Sequence, residues 1–241
     1  MKRNLLFVIL LLTFAPLAFA QSVVITPKKV VYKRPKPVED YKKSFTVIYP
    51  KVKGVSAAMA RKIESEISYE KVSELNIDEE INDIQWLYEA FYKVNYNKFG
   101  ILDITLTVSG SGAYPEEMSK TVVVDLKTGA RVKAADIFTN FEKLAATVKK
   151  AQQAEMKKAN AQYKRDPYAE NFDSTEYFRE VDFKTENLDE FTVGAKGVTF
   201  IYDYEFPHVV RALQPDGRYF FSWTALKPYI KRGGLLARFV R

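Results

Sequence analysis

From residue 44 to residue 230 the chain alternates between two hydrophobic periods. Phe45, Val47 and Tyr49 alternate with Thr46 and Ile48, and Pro50 ends the run, which predicts a strand. Ser56 stands where a helix cap belongs. Met59, Ala60, Ile63 and Ile67 follow at helical spacing, with Arg61, Lys62, Glu64 and Glu66 on the other side. A shorter helix is expected within 69–83. Residues 86–96 are aromatic and β-forming, and Asn97-Lys98-Phe99-Gly100 supplies a turn. Beyond it Leu102, Ile104, Leu106 and Val108 alternate with Asp103, Thr105 and Thr107. This predicts an antiparallel hairpin with one buried face.

A glycine-rich loop is expected from Ser109 to Pro115, then a strand over 120–125. Gly129 suits a turn that needs positive φ. Val132 opens a return strand and Ala135 to Phe138 a helical turn. The longest helix spans 141–163, with an incomplete apolar stripe through Phe141, Leu144, Val148 and Ala151. Residues 165–187 are acidic and aromatic, and Pro167 breaks any helix there. Segments 191–193, 198–202 and 219–223 are expected to close the sheet, followed by a helical turn over 224–230. No regular β–α–β spacing occurs, so the class is α+β, an antiparallel sheet packed with two main helices.

The chain's start sets its address. Lys2 and Arg3 precede an unbroken apolar run, Leu5 to Leu12, and Ala18-Phe19-Ala20 has the small-x-small ending that signal peptidase accepts. This predicts a signal peptide over 1–20, cleaved before Gln21, and a bacterial protein exported to the periplasm or beyond. The run is short of the roughly 20 residues that span a bilayer, and no later segment is apolar enough to do so. Residues 21–43 follow as an extended basic leader with Pro27, Pro35 and Pro37, read as a solvated linker or an electrostatic tether. A single domain is expected over 44–230 and a basic tail over 231–241.

Composition narrows the chemistry further. The 241 residues include 47% apolar and 14% aromatic side chains, enough for a core, and no cysteine, so burial alone must hold the fold. The formal charge is +7, of which Lys2 and Arg3 contribute two. That balance favours anionic partners. His208 is the only histidine, which leaves no His/Cys zinc set. No Gly-x-Ser-x-Gly elbow, calcium loop or phosphate loop is present. No metal and no cofactor are expected, and export argues against nucleic acid.

One block resembles a known family. Gly110-Ser111-Gly112-Ala113-Tyr114, Thr121 to Gly129 and Ala135-Asp136-Ile137-Phe138 follow in order. Later come Phe191-Thr192-Val193, Gly197-Val198-Thr199-Phe200, Tyr202 to His208 and Trp223 to Lys227. Together they resemble domain of unknown function 3298, and residues 49–109 resemble its N-terminal companion, domain of unknown function 4163. The resemblance implies a binding or sensing module beside the cell wall, as in the extracellular part of RsiV-type anti-sigma factors and in PdaC-type deacetylases. This chain carries Gly112-Ala113-Tyr114 where relatives often have Gly-Gly-Ala-His, and Phe206-Pro207-His208 where they usually have Pro-Tyr.

The function expected is an exported, non-catalytic envelope module that binds a cell-wall polymer or an envelope protein. Tyr114, Tyr202 and Trp223 are the candidate stacking residues. Asp203, Glu205 and His208 are the candidate polar ones, and no catalytic residue is assigned. Two alternatives use the same residues or their neighbours. One is an envelope carbohydrate hydrolase working through Asp203 and Glu205, or His208. The other is a lysozyme-binding protein using the acidic stretch 166–190, which the shared basic charge of the two proteins disfavours.

Overall fold

A computed structural model of the chain describes residues 22–39, 41–169 and 172–240, so the signal peptide expected over 1–20 lies outside the described residues. The basic leader is extended, as its prolines require, yet it is a strand of the fold and not a linker. β1 (Val24–Lys33) pairs antiparallel with β2 (Ser44–Lys53) along its whole length. Pro50 therefore does not end β2. The Arg34 N–H donates to the Lys43 carbonyl at 3.0 Å. Alternation from that pair puts Pro27 opposite Pro50 at a position where the two strands exchange no hydrogen bond. β1 is also the sheet's edge, where proline's missing donor costs little.

Two fastenings hold the leader. The Val23 N–H and carbonyl bond the Asn97 side chain at 3.1 and 2.6 Å. Arg34 is buried beside Glu80, 3.4 Å away, and also donates to the carbonyls of Glu80, Lys42 and Leu87. Burial lowers the pKa of this guanidinium while Glu80 opposes the shift.

After β2 come α1 (Ala57–Glu66), α2 (Tyr69–Val72) and α3 (Ile77–Asn82). Each is capped by the side chain before it, Ser56, Ser68 and Asn76. This crossover returns the chain to β3 (Leu87–Lys98), which runs parallel to β2 through Thr46–Glu89 and Val47–Ala90. β4 (Ile101–Ser111), β5 (Pro115–Asp125) and β6 (Ala130–Arg131) follow antiparallel, giving a six-stranded sheet in sequence order. Phe99 and Gly100 take φ of 54° and 73° at the β3–β4 turn, the positive pair that a two-residue hairpin favours. The expected glycine loop is shorter than its sequence suggests. Gly110 lies inside β4, because only a residue without Cβ fits against Trp86.

The second layer consists of α4 (Ala134–Ile137), α5 (Phe141–Tyr163), α6 (Ser174–Phe178), β7 (Phe191–Gly194), β8 (Gly197–Ile201), β9 (Arg218–Ser222) and α7 (Trp223–Leu226). The last three strands form their own antiparallel sheet instead of closing the first. Their apolar positions Phe191, Val193, Val198, Phe200 and Tyr219 pack with Phe138, Leu144 and Val148, and this layer lies on Ile101 and Val123 of the large sheet. The opposite face of that sheet packs Leu102, Ile104, Leu106, Val122 and Val124 against Ile63, Ile67 and Tyr69. β4 is thus buried on both faces at its start, Ile101 to Asp103, where one buried face was expected. The arrangement is α+β, and among the described residues no helix is long and apolar enough to cross a membrane. The basic tail is docked: Leu236 is buried, Phe239 stacks on Trp223 at 4.4 Å, and Arg238 donates to the Phe99 carbonyl.

Candidate functional site

The second layer covers only part of the large sheet's outer face. On β4 that face carries Asp103, Thr105, Thr107 and Ser109 in period two. Beside them stand Phe91 and Lys93 of β3 and Ser119 and Thr121 of β5, directly across the strands. The hydroxyls pair in rows. Thr105 Oγ1 lies 3.0 Å from Thr121 Oγ1, and Thr107 Oγ1 lies 2.8 Å from Ser119 Oγ.

A register shift between Val94 and Tyr96 makes Asn95 the extra residue of a bulge. The bulge aims its Nδ2 at both Asp103 Oδ1, 2.7 Å away, and Thr105 Oγ1, 2.8 Å away. Asp103 is fully buried where the layers meet. Its Oδ2 accepts from the Thr192 hydroxyl at 2.6 Å and from the Val193 N–H. Burial raises its pKa, and the bonds from Thr192, Asn95 and Val193 oppose the rise. Asp103 therefore cross-links the sheets at the covered end of a polar stripe whose other end is open.

Over the open end lies a cleft of about 750 Å³, with Tyr202, Asp203, Gln214, Asp216 and Arg218 facing the hydroxyl rows. The segment 202–217 that forms this wall is anchored from below. Glu155 Oε2 accepts from the Tyr204 and Tyr219 hydroxyls at 2.9 and 2.8 Å, and its Oε1 accepts from the Gly217 N–H at 3.2 Å. Burial drives both tyrosine pKa values upward, so the phenols stay protonated donors. Tyr163 donates to the Leu213 carbonyl. At the rim, Arg211 bridges Glu116 at 2.7 Å, and His208 stacks on Tyr114 with ring centroids 4.5 Å apart. These two contacts join the 3-10 turn His208–Leu213 to the β4–β5 hairpin tip.

The six candidate residues fall in four places. Tyr202 and Asp203 line the cleft. Tyr114 and His208 meet at its rim. Glu205, with Tyr202 and Asp203, faces a second recess of about 450 Å³ beside Glu176, Arg179 and Glu180. Trp223 is apart from all of them: its indole N–H donates to the Ala195 carbonyl at 2.9 Å and its ring stacks on Phe239.

Asp203 and Glu205 lie beyond the strand, not on it. β8 ends at Ile201, and Asp203 Oδ1 accepts from the Glu205 N–H at 2.9 Å and from Gln214 Nε2 at 3.1 Å. That bond to the residue two ahead is an Asx turn, and Glu205 takes a φ of 54°. Among the described residues no three His, Asp or Glu side chains gather where a metal ion could sit.

The residues that reading the sequence missed are Asn95, Thr105, Thr107, Ser119 and Thr121. A signal existed: two strand runs that will pair each place small hydroxyl residues on alternate positions.

No family model matches the chain, and no curated protein matches it. Solved structures do. A DUF3298 family protein of Pseudomonas aeruginosa PAO1 superposes with a TM-score of 0.56 at 12% identity, over 88% of this chain and 96% of that one. A member of the same family from Bacteroides fragilis NCTC 9343 gives 0.53 at 13% identity, over 92% and 99%. The chain has the fold of DUF3298 family proteins.

Proposed function

We propose that this protein is an exported module that binds a polymer of the bacterial cell wall in the cleft between its two sheets. The observation that carries the reading is the rows of paired hydroxyls that floor the cleft, from buried Thr107 and Thr121 to half-buried Thr105 and exposed Ser119. Hydroxyls offer both donor and acceptor, which suits a ligand that is itself rich in hydroxyl and amide groups. Tyr202 and Phe91 add apolar wall, and Lys93, Arg218, Glu117 and Asp216 add charge of both signs. Clefts that combine apolar lining with a few fixed polar groups are the usual form of ligand sites. Tyr114 stands at the rim with 62% of its surface exposed and extends the cleft outward as a stacking face. A hydrolase reading draws less support, because Asp203 Oδ1 is already engaged in two bonds that hold its own turn.

The test is co-sedimentation of protein beginning at Gln21 with purified peptidoglycan at low and high salt. Binding is expected to persist at high salt and to fall about tenfold in Thr107→Val combined with Ser119→Ala, the loss of one or two net hydrogen bonds. Retention that disappears with salt, or that ignores the double substitution, would overturn the cleft as the site. No retention at either salt would remove the wall ligand and leave envelope proteins, lysozyme among them, as partners to test.

A further inference from the structure

We infer that the β1–β2 hairpin is a docking surface for an anionic phospholipid bilayer, independent of the cleft. Residues 22–53 hold nine Lys or Arg against two acidic side chains, whereas residues from 54 onward are net negative. All the excess positive charge past the expected cleavage site therefore lies on this hairpin and its connecting loop. Arg34 is buried and spent on Glu80, and Lys51 is paired with Glu64 at 2.7 Å. Lys28, Lys29, Lys33, Lys36, Lys43 and Lys53 have no ion pair among the described residues.

The geometry fixes how those charges are shown. β1 is the outermost strand, so one edge of the ribbon is free. Lys29, Val31 and Lys33 alternate with inward residues and share its exposed outer face. Val31 on that face is 55% exposed. An apolar side chain between lysines suits an interface of headgroups and acyl chains, where the charge is drawn to anionic lipid and the valine leaves water. A dissolved polyanion would use the lysines and gain nothing from the valine. Position agrees: only Gln21, Ser22 and Val23 separate the strand from the signal peptide expected over 1–20.

The experiment is sedimentation of protein beginning at Gln21 with vesicles of phosphatidylglycerol and phosphatidylcholine in equal parts, against vesicles of phosphatidylcholine alone. Binding is expected only to the anionic vesicles and should weaken steeply with salt. Each lysine removed from that face should lower the partition about fivefold, so Lys29→Gln and Lys33→Gln together should lower it about twenty-five-fold. Lys157→Gln with Lys158→Gln on α5 should leave it unchanged. Val31→Ser should weaken vesicle binding and spare binding to soluble polyglutamate. Equal loss from the α5 pair, equal binding to neutral vesicles, or no binding at low salt would overturn the proposal. So would indifference to Val31→Ser, which would assign the lysines to a soluble polyanion.

Discussion

Asp103 carries the sharpest test of how the two sheets are joined. Replacing it with alanine strips an acceptor from three donors: the Asn95 amide, the Thr192 hydroxyl and the Val193 N–H. The first two reach water, since Asn95 is exposed and Thr192 half-buried. Val193 is buried at 1% exposure, so its N–H is left without a partner. An orphaned buried donor costs about 1–3 kcal/mol. The lost bonds to a charged acceptor add to that, and release of the buried charge subtracts. Asp103→Ala should therefore cost about 3 kcal/mol, lowering Tm by roughly 6–12 °C for a domain of this size. Asp103→Asn keeps one acceptor for Val193 and Thr192 and should cost about 1 kcal/mol. The pH dependence separates charge from geometry. Burial raises this carboxyl above its ordinary value, so the folded state keeps a proton that the unfolded state has released. Its contribution is full below the ordinary carboxylate range and declines as pH rises through the raised value. The deficit of Asp103→Asn against the parent should narrow as pH rises from the ordinary carboxylate range through the raised value, read by urea unfolding of tryptophan fluorescence. A deficit that widens over that range would show the carboxylate to be stabilised as an anion and would refute the dominance of burial.

Two further substitutions probe the fold around the site. Arg34→Ala leaves Glu80 buried without its partner and should cost about 3–5 kcal/mol; replacing both by apolar residues should recover most of it, and equal loss in the two variants by thermal unfolding would count against the pair. Gly110→Ala would put a Cβ 2.4 Å from the Trp86 carbonyl oxygen and 2.5 Å from its ring. That forces β4 and Trp86 apart, with a loss of about 1–3 kcal/mol and a changed near-UV tryptophan signal, and an unaltered spectrum and Tm would contradict the packing.

Where local chemistry decides the outcome, the sequence is legible. The cap at Ser56, the turn at Phe99-Gly100 and the full span of α5 depend on neighbouring residues, and each lies where periodicity and turn chemistry put it. Long-range partners are not legible in the same way. Three prolines argue for a linker in the leader, and only the pairing of β1 with β2 shows that Pro27 and Pro50 meet where no bond is needed. The same holds for the site. Residue type marks Tyr202 as a stacking candidate and Asp203 as a polar one, and both line the cleft. Asn95 was not, because its role depends on a bulge set by the register of two strands. Trp223 looked available by residue type, yet a tail distant from the strand end in sequence supplies the ring that covers it.

The open half of the sheet is better understood as a kept surface than as unfinished packing. On β4 the inward positions are Leu102, Ile104, Leu106 and Val108, all at 3% exposure or less. The outward positions beyond Asp103 are Thr105, Thr107 and Ser109. Threonine holds the strand as valine does, through the same branched Cβ, but adds a hydroxyl that costs free energy wherever it is buried unpaired. Had the second layer been meant to cover this half, valine would serve at each position. Instead each threonine is matched by a hydroxyl across the strand, and the wall opposite is fixed by the Glu155–Tyr204–Tyr219 network. A rigid wall held off a polar floor keeps the cleft open without a ligand to prop it. Since the two family structures share only 12% and 13% of their residues with this chain, the fold supplies the two layers, and these side chains set the chemistry of the space between them.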